Sequence, residues 1–543
     1  MFKKLIHLDT FVTDMSEITW WLKRTLLYII AYTFRIVLTI VFWGEQKSVP
    51  PARNQLLLKS AKQLAKEIRE GKLKSEEVIQ TYINRIVEVE PYINAVVQDN
   101  FDNAIIEARR VDDLIESGEF SIEQLSEEKP LLGVPFTVKC ILRVKGFPET
   151  AGSLIFKDRI AETDAPIVSI IKDAGGIFLA LTNAPEFSFS LETDNKLYGR
   201  TCNPYDVTRT CGGSSGGEAA LISSAGSVIG LGNDLLGSLR VPAHFCGLFA
   251  HKSSRNLIPT EGVSMDLPPI LKKIHTAGPM SRFSEDLITM MKIILKSEKT
   301  MNFQKEVDFK ILKIYYQTKI DGAWVFNTEK EIDQAVRNAA LHCNTKYGTK
   351  VKEIKVPLIN KTNAIVLNSY YGRVAFNLLA IATNGKIKNL NGIQELIKML
   401  YGKCQFTFYS LIPACFAKWL LKDNINLVSQ CDNWNKELEN EFERLLDDNS
   451  LFLCPTLPHT APYHNESLVS YGSACFVSIF NILGLPVTQC PMGFDKHGLP
   501  LGIQVVGKKG NDMLTMLAAA ELEKAFGGWR PQMDTTLGNK KDL

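Results

Sequence analysis

The chain has 543 residues, of which 45% are hydrophobic and 22% charged, and its formal net charge at pH 7 is +3. This composition is typical of a globular protein, and a nearly neutral chain gives no reason to expect nucleic acid as a partner. The 11 cysteines form no C-x-x-C pair and the 8 histidines no H-x-x-x-H pattern, so we expect no metal, no cofactor and no histidine-based triad.

The first predicted element is an apolar helix over about residues 25–43. Its 19 residues carry one charge, Arg35, and as a helix they would be roughly 28 Å long, about the thickness of the hydrocarbon core of a bilayer. Arg35 would cost roughly 2.5–3.5 kcal/mol at the centre of a membrane. The sequence therefore predicts a single-pass membrane anchor within residues 1–45, with an interfacial helix and a buried helix as the alternatives.

Basic residues flank this helix slightly unequally. Four precede it and three follow it closely (Lys3, Lys4, Lys23 and Arg24, then Lys47, Arg53 and Lys59). This excess favours a cytoplasmic N-terminus and a luminal body. We therefore expect an endomembrane protein, of the endoplasmic reticulum or of lipid droplets. Asn360 and Asn465 begin N-x-[ST] sequons, which would be usable only if the body is luminal.

Residues 46–55 form a predicted linker, and two helices follow it. Ser60 and Gln63 have the spacing of a capping box, which predicts a helix that Gly71 ends. Ser75 begins a second predicted helix, with Pro91 just beyond its end.

From about Leu131 the pattern changes to short apolar runs that alternate with helical stretches. This alternation predicts an α/β fold with a large, mixed, twisted sheet covered by helices on both faces. Late in the chain, two apolar runs on either side of FDKHG predict a β-hairpin. Nothing divides the body, so we assign one large domain to residues 56–535 and a C-terminal tail to residues 536–543.

One apolar segment, residues 406–421, does not fit this alternation. A core helix kinked at Pro413 is one interpretation. A second membrane-contacting patch near a substrate entrance is the other.

Two serines stand out in a stretch that is rich in glycine and serine. Ser214 and Ser238 lie 24 residues apart within residues 211–247, and turns of this kind expose hydroxyls and backbone N–H groups, as nucleophilic acyl chemistry requires. Lys139 ends an apolar strand, where burial would disfavour its charged form and allow it to act as a base. Taken singly, the serine turns could be ordinary loops, and the lysine could extend to solvent.

Three motifs carry a resemblance to the amidase signature family. They are residues 133–139 (GVPFTVK), 212–218 (GGSSGGE) and 237–242 (GSLRVP), and the resemblance extends from about Leu56 to the end of the chain. Within that family, residues 251–252 (HK), 484–489 (GLPVTQ) and 526–529 (FGGW) are most similar to the membrane-bound fatty-acid amide hydrolases of type 2. The family fold agrees with the α/β architecture predicted above.

The resemblance implies a Ser-Ser-Lys triad. Ser238 would be the nucleophile, and Ser214, held by a cis peptide bond, would pass protons to neutral Lys139. The expected oxyanion hole consists of four successive backbone N–H groups, those of Leu235, Leu236, Gly237 and Ser238. Three further side chains are expected to support the loop without reacting: Ser215, Arg240 and Asp234. A plain surface position is the alternative for Arg240.

The chain also departs from the family pattern. Leu236 stands where a glycine of the oxyanion hole is usual, and Cys140 stands where an acidic residue usually follows the lysine. If Leu236 had to adopt a positive φ, the strain would be roughly 1–2 kcal/mol.

Three functions follow from these observations. The first is a membrane-anchored serine hydrolase of fatty-acid amides (N-acylethanolamines and primary amides), whose partners would be the lipid amide and the bilayer. The second is a lipid-binding pseudoenzyme, motivated by Leu236, and the third is an amidase for polar amides. The sequence leaves the oligomeric state open, with a homodimer as one assembly that we consider.

Overall fold

A computed structural model describes residues 5–295, 307–322, 324–371, 381–387, 392–411 and 425–532. The predicted tail, residues 536–543, lies outside the described residues, as do residues 412–421 of the segment for which a kinked helix or a membrane patch was considered.

Eleven strands of the described chain form one mixed sheet in the order β1-β3-β2-β8-β10-β9-β14-β15-β13-β11-β12. β2 is parallel to both of its neighbours, β3 and β8, and β11 is parallel to both of its neighbours, β12 and β13. All other neighbouring strands in this sheet are antiparallel. The strands are β1 (Val96–Asp99), β2 (Pro135–Lys139), β3 (Ile177–Thr182), β4 (Asp194–Asn195), β5 (Gly199–Arg200), β6 (Cys202–Asn203), β7 (Asp206–Thr210), β8 (Ile229–Asp234), β9 (Phe249–Lys252), β10 (Thr276–Ser281), β11 (Lys313–Tyr316), β12 (Lys350–Glu353), β13 (Ser450–Pro455), β14 (Val487–Phe494) and β15 (Pro500–Gly507).

α-Helices surround this sheet. Those in the described residues are α1 (Leu5–Val41), α2 (Ala61–Arg69), α3 (Ser75–Ile93), α4 (Phe101–Ser117), α5 (Ile122–Glu128), α6 (Pro166–Asp173), α7 (Gly216–Ser223), α8 (Arg240–Phe245), α9 (Pro269–Lys272), α10 (Ser284–Ile294), α11 (Lys330–Tyr347), α12 (Thr362–Ile365), α13 (Gly392–Leu400), α14 (Ile425–Leu445), α15 (Ser467–Ser470), α16 (Cys475–Leu483) and α17 (Asp512–Phe526). The predicted α/β class and mixed sheet are confirmed.

Local signals account for several element boundaries. Ser60 and Gln63 form the predicted capping box at the start of α2, and β14 and β15 form the predicted hairpin. Pro91 was expected just beyond the second helix, but it lies within α3, which continues to Ile93. The prediction was wrong because the left-handed conformation of Asn94, not the proline, ends this helix.

The centre of the sheet is buried on both faces. Every residue of β2, β3, β8 and β10 is buried. Because both faces of these strands are covered, their sequences consist mainly of small and apolar residues and do not alternate with polar ones. Polar side chains at the ends of these strands therefore enter a site that is largely shielded from water.

The N-terminal helix α1 is longer than predicted and contacts the catalytic body. Among the described residues, only its segment Trp21–Val41 is long and apolar enough to cross a membrane. One stripe of α1 packs inward, since Leu27 and Leu38 are buried. Arg35, the one charge of the predicted span, donates a hydrogen bond from Nε to the carboxylate of Glu466 at 2.6 Å.

Candidate active site

Lys139 and Ser214 meet at the end of β2. Lys139 Nζ lies 2.7 Å from Ser214 Oγ, and both side chains are almost completely buried. Ser214 precedes α7, and its peptide bond with Gly213 is cis, as the resemblance implies. The fold thus places a lysine at the end of a strand beside a serine that is 75 residues away in the chain.

Ser238 lies on the neighbouring turn, between β8 and α8. The N–H of Ser215 donates to the carbonyl oxygen of Ser238 at 3.1 Å, which ties the two serine-bearing turns together. Ser214 and Ser238 line the same cavity, and Ser238 is partly exposed. The structure therefore brings all three predicted triad residues into one site.

Burial changes the protonation of Lys139. Its complete desolvation lowers the pKa of the amine to about 7. The next residue, Cys140, adds no charge, because burial raises the pKa of its thiol to about 12. Glu218 is also buried, which raises the pKa of its carboxyl to about 8. Near neutral pH a substantial fraction of Lys139 is therefore uncharged and able to accept a proton.

An ion pair supports the turn that carries Ser238. Arg240 is completely buried, so the surface alternative is wrong, and its guanidinium contacts both carboxylate oxygens of Asp234 at 3.1 Å. Although burial opposes it, this guanidinium holds the pKa of Asp234 well below its usual range. The same carboxylate accepts from the N–H groups of Gly237 at 2.7 Å and Leu239 at 3.1 Å. The carboxylate of Asp234 thus fixes the backbone of the turn on either side of Ser238, and Arg240 fixes the carboxylate.

This hydrogen bonding reduces the number of N–H groups available to the predicted oxyanion hole. The N–H of Gly237 is already bonded to Asp234, so three of the four predicted donors remain. In the described part of the chain, nothing accepts a hydrogen bond from the N–H of Leu235, Leu236 or Ser238.

Leu236 does not carry the strain that its position suggested. The positive φ in this turn belongs to Gly237, at 110°, and Leu236 is not among the residues with positive φ. A Cβ at Gly237 would lie 2.4 Å from Val477, so glycine is required there. The strain expected at Leu236 is therefore absent, whereas the replacement of the family's glycine, which motivated the pseudoenzyme interpretation, remains.

The cavity beside the serines encloses about 490 Å³, including its open mouth. Most of its lining is apolar and comes from aromatic and aliphatic side chains (Phe187, Phe189, Leu235, Met265, Leu267, Leu271, Ile381 and Ala382). Such a wall suits a hydrocarbon chain better than a polar substrate.

Sequence reasoning missed two polar groups of this site. Asn233 Oδ1 lies 2.7 Å from Lys139 Nζ, and Asn233 Nδ2 lies 3.0 Å from His275 Nε2. Both residues line the cavity with the serines. Asn233 lies one residue before Asp234, in the stretch GNDLLGS (residues 232–238) that also contains Leu236 and Ser238, so the sequence held a signal for it. Nothing near His275 in the sequence indicates its position.

A strained segment forms another part of the wall. Phe187 and Ser188 both have positive φ, at 53° and 60°, a conformation that costs non-glycine residues of order 1–3 kcal/mol each and is concentrated at functional sites. The hydroxyl of Ser188 is buried and has no hydrogen-bond partner within the described residues.

Comparisons with known proteins agree with this geometry. The amidase family model matches residues 77–516. Fatty-acid amide hydrolase 2-A of Danio rerio is 36% identical, over 95% of this chain and 97% of its own length. Fatty-acid amide hydrolase 2 of Homo sapiens is 35% identical, over 95% of this chain and 98% of its own length.

Solved structures have the same fold. One titled fatty acid amide hydrolase superposes with a TM-score of 0.68 at 20% sequence identity, and the match covers 88% of this chain and 86% of that one. At this identity the likeness concerns the fold.

Proposed function

The chain belongs to the amidase signature family and is an amide hydrolase, and from this premise we propose that it cleaves fatty-acid amides through Ser238, Ser214 and Lys139. The observation that carries the proposal is the 2.7 Å contact between a buried, readily neutral Lys139 and Ser214 beside an apolar cavity. The 35–36% identity to proteins named fatty-acid amide hydrolase 2 supports the same substrate class.

In this mechanism, Ser238 Oγ attacks the amide carbonyl carbon. Its proton passes to Ser214, whose own proton passes to the lone pair of Lys139. The tetrahedral intermediate collapses when the C–N bond breaks, and protons return along the same path to the leaving amine. Water then hydrolyses the acyl-enzyme by the same route in the next half-reaction.

The turn before α8 would stabilise the oxyanion. The N–H groups of Leu235, Leu236 and Ser238 have no other acceptor among the described residues, and Asp234 with Arg240 keeps their backbone in place. Preorganised donors of this kind are worth roughly 10²–10³ in rate each.

Substrate choice tests the proposal. With the detergent-solubilised chain, we expect kcat/KM for oleamide to exceed that for short-chain amides by roughly tenfold for every two additional buried methylene groups, because each contributes about 0.8 kcal/mol. Ammonia release from oleamide, hexanamide and acetamide measures this dependence. Equal rates, or a preference for a polar amide such as glutamine, would contradict the proposal.

We further propose that α1 anchors the enzyme in an endomembrane as a single pass, with the body in the lumen. The exposed face of α1 is apolar and includes Trp21, Ile29 and Ile40, and the exposed Trp43 follows the end of the helix. An interfacial α1 is the second candidate. It is supported by the hydrogen bond of Arg35 with Glu466, which an α1 in the membrane plane would keep.

Microsomes that contain the full chain separate these arrangements. A single pass with a luminal body predicts retention in the membrane after alkaline carbonate extraction and a glycan at Asn360, which is exposed. The matched control is Asn360→Gln, which should remove the glycosidase-sensitive mass. Extraction of the protein without any glycan would instead support an interfacial α1 on the cytoplasmic side.

A further inference from the structure

Lys139 and Asn233 lie on the adjacent strands β2 and β8, and His275 directly precedes the next strand, β10. β2 pairs with β8 in parallel, and β8 pairs with β10 in antiparallel register, so that Asn233 lies opposite Ala277. His275, two residues before Ala277, is therefore a diagonal neighbour of Asn233. The register brings the three residues to the same edge of the sheet, and the hydrogen bonds show that their side chains meet there.

The hydrogen bonds fix which way the amide of Asn233 faces. A protonated Lys139 has only donors, so the amide atom 2.7 Å from its Nζ must be the oxygen Oδ1. Asn233 Nδ2 then donates to His275 Nε2 at 3.0 Å. This requires His275 to be neutral with its proton on Nδ1, and burial lowers the pKa of His275 to about 4.

The orientation matters when Lys139 loses its proton. A neutral amine has two N–H bonds and one lone pair. If one N–H donates to Asn233 Oδ1, the lone pair is free to accept the hydroxyl proton of Ser214, 2.7 Å away. If the amide were reversed, its N–H would compete with Ser214 for that lone pair.

We propose that Asn233 and His275 are positioning residues, which direct the lone pair of Lys139 toward Ser214. His275 holds the amide of Asn233, and Asn233 holds the amine. The inference rests on the proposed function, because Asn233 and His275 can have this role only if Lys139 and Ser214 transfer protons. Neither residue forms a bond to the substrate in this role.

Replacement of His275 tests the first link. In the full chain, His275→Leu should lower kcat for oleamide by about 10–100-fold, because a freed amide occupies the lysine lone pair. His275→Gln should restore most of this loss, since a glutamine oxygen can accept where Nε2 does. Equal losses in both variants would overturn the proposal and leave only a packing role.

Replacement of Asn233 tests the second link through the pH profile. Loss of the acceptor in Asn233→Leu should move the acid limb of kcat to lower pH by about one unit, and the added carboxylate of Asn233→Asp should move it to higher pH by at least as much. The other titratable groups that act on Lys139 or on this pair are the same in both variants (Cys140 directly after β2, Glu218 on α7, Asp234 on β8 and His275 before β10). Limbs that do not move in opposite directions would overturn the proposal.

Two further measurements keep the outcomes distinct. Fluorophosphonate labelling of the wild-type chain reports whether Ser238 is an active nucleophile. If wild type neither labels nor hydrolyses oleamide, the proposed function fails. If wild type does both and the variants behave like it, only the positioning inference fails. Thermal unfolding of each variant identifies loss of activity through misfolding. If Asn233→Asp does not fold, the comparison of His275→Leu with His275→Gln still tests the proposal.

Discussion

Ser238→Ala is expected to lower kcat for oleamide by about 10⁴–10⁶-fold, because no acyl-enzyme can form without the Ser238 hydroxyl. Ser238 lies in the turn held by Asp234 and lines the cavity, and replacement of its hydroxyl by hydrogen should leave the fold intact. Hydrolysis rates and labelling by a fluorophosphonate probe measure the effect together.

Ser188→Ala is the matched control for this experiment. Ser188 lines the same cavity, but its hydroxyl has no partner among the described residues that would act as a base. The variant should therefore still label with the probe at Ser238. A Ser238→Ala enzyme that labels or hydrolyses oleamide at a rate near that of wild type would place the nucleophile elsewhere.

The hydrolysis rate of wild type is expected to rise with pH through about 7 and then to level off. The active form requires a neutral Lys139, and burial lowers the pKa of this amine to about 7. Below that pH the ammonium ion has no lone pair and cannot accept the proton of Ser214. Lys139→Ala should lose about 10²–10⁴-fold in kcat and should also lose this acid limb.

A second buried lysine provides the control. Lys252 is also desolvated, which lowers its pKa to about 7, so it could titrate in the same range. Its Nζ donates to the carbonyl oxygens of Leu485 at 2.6 Å and Ser253 at 2.9 Å, and Lys252 does not line the cavity. Lys252→Met should therefore retain the acid limb. A limb that disappears in Lys252→Met but persists in Lys139→Ala would refute the assignment of Lys139 as the base.

Local sequence accounts for the elements whose determinants lie close together in the chain. The capping box of Ser60 and Gln63 and the β14–β15 hairpin depend on contacts between near neighbours, and both are present as predicted. The failure at Pro91 is also local, because a proline in the last turn of α3 did not end it.

The sequence by itself identified Lys139, Ser214 and Ser238 as the candidate catalytic residues, since the motifs that contain them are local and rich in small residues that form turns. Only the tertiary structure decided what surrounds them. It buried Arg240 against Val477, Gln504 and Asn481, and it placed His275 beside Asn233. The physical reason is that strand register and helix docking depend on the packing of residues far apart in the chain, which no local pattern specifies.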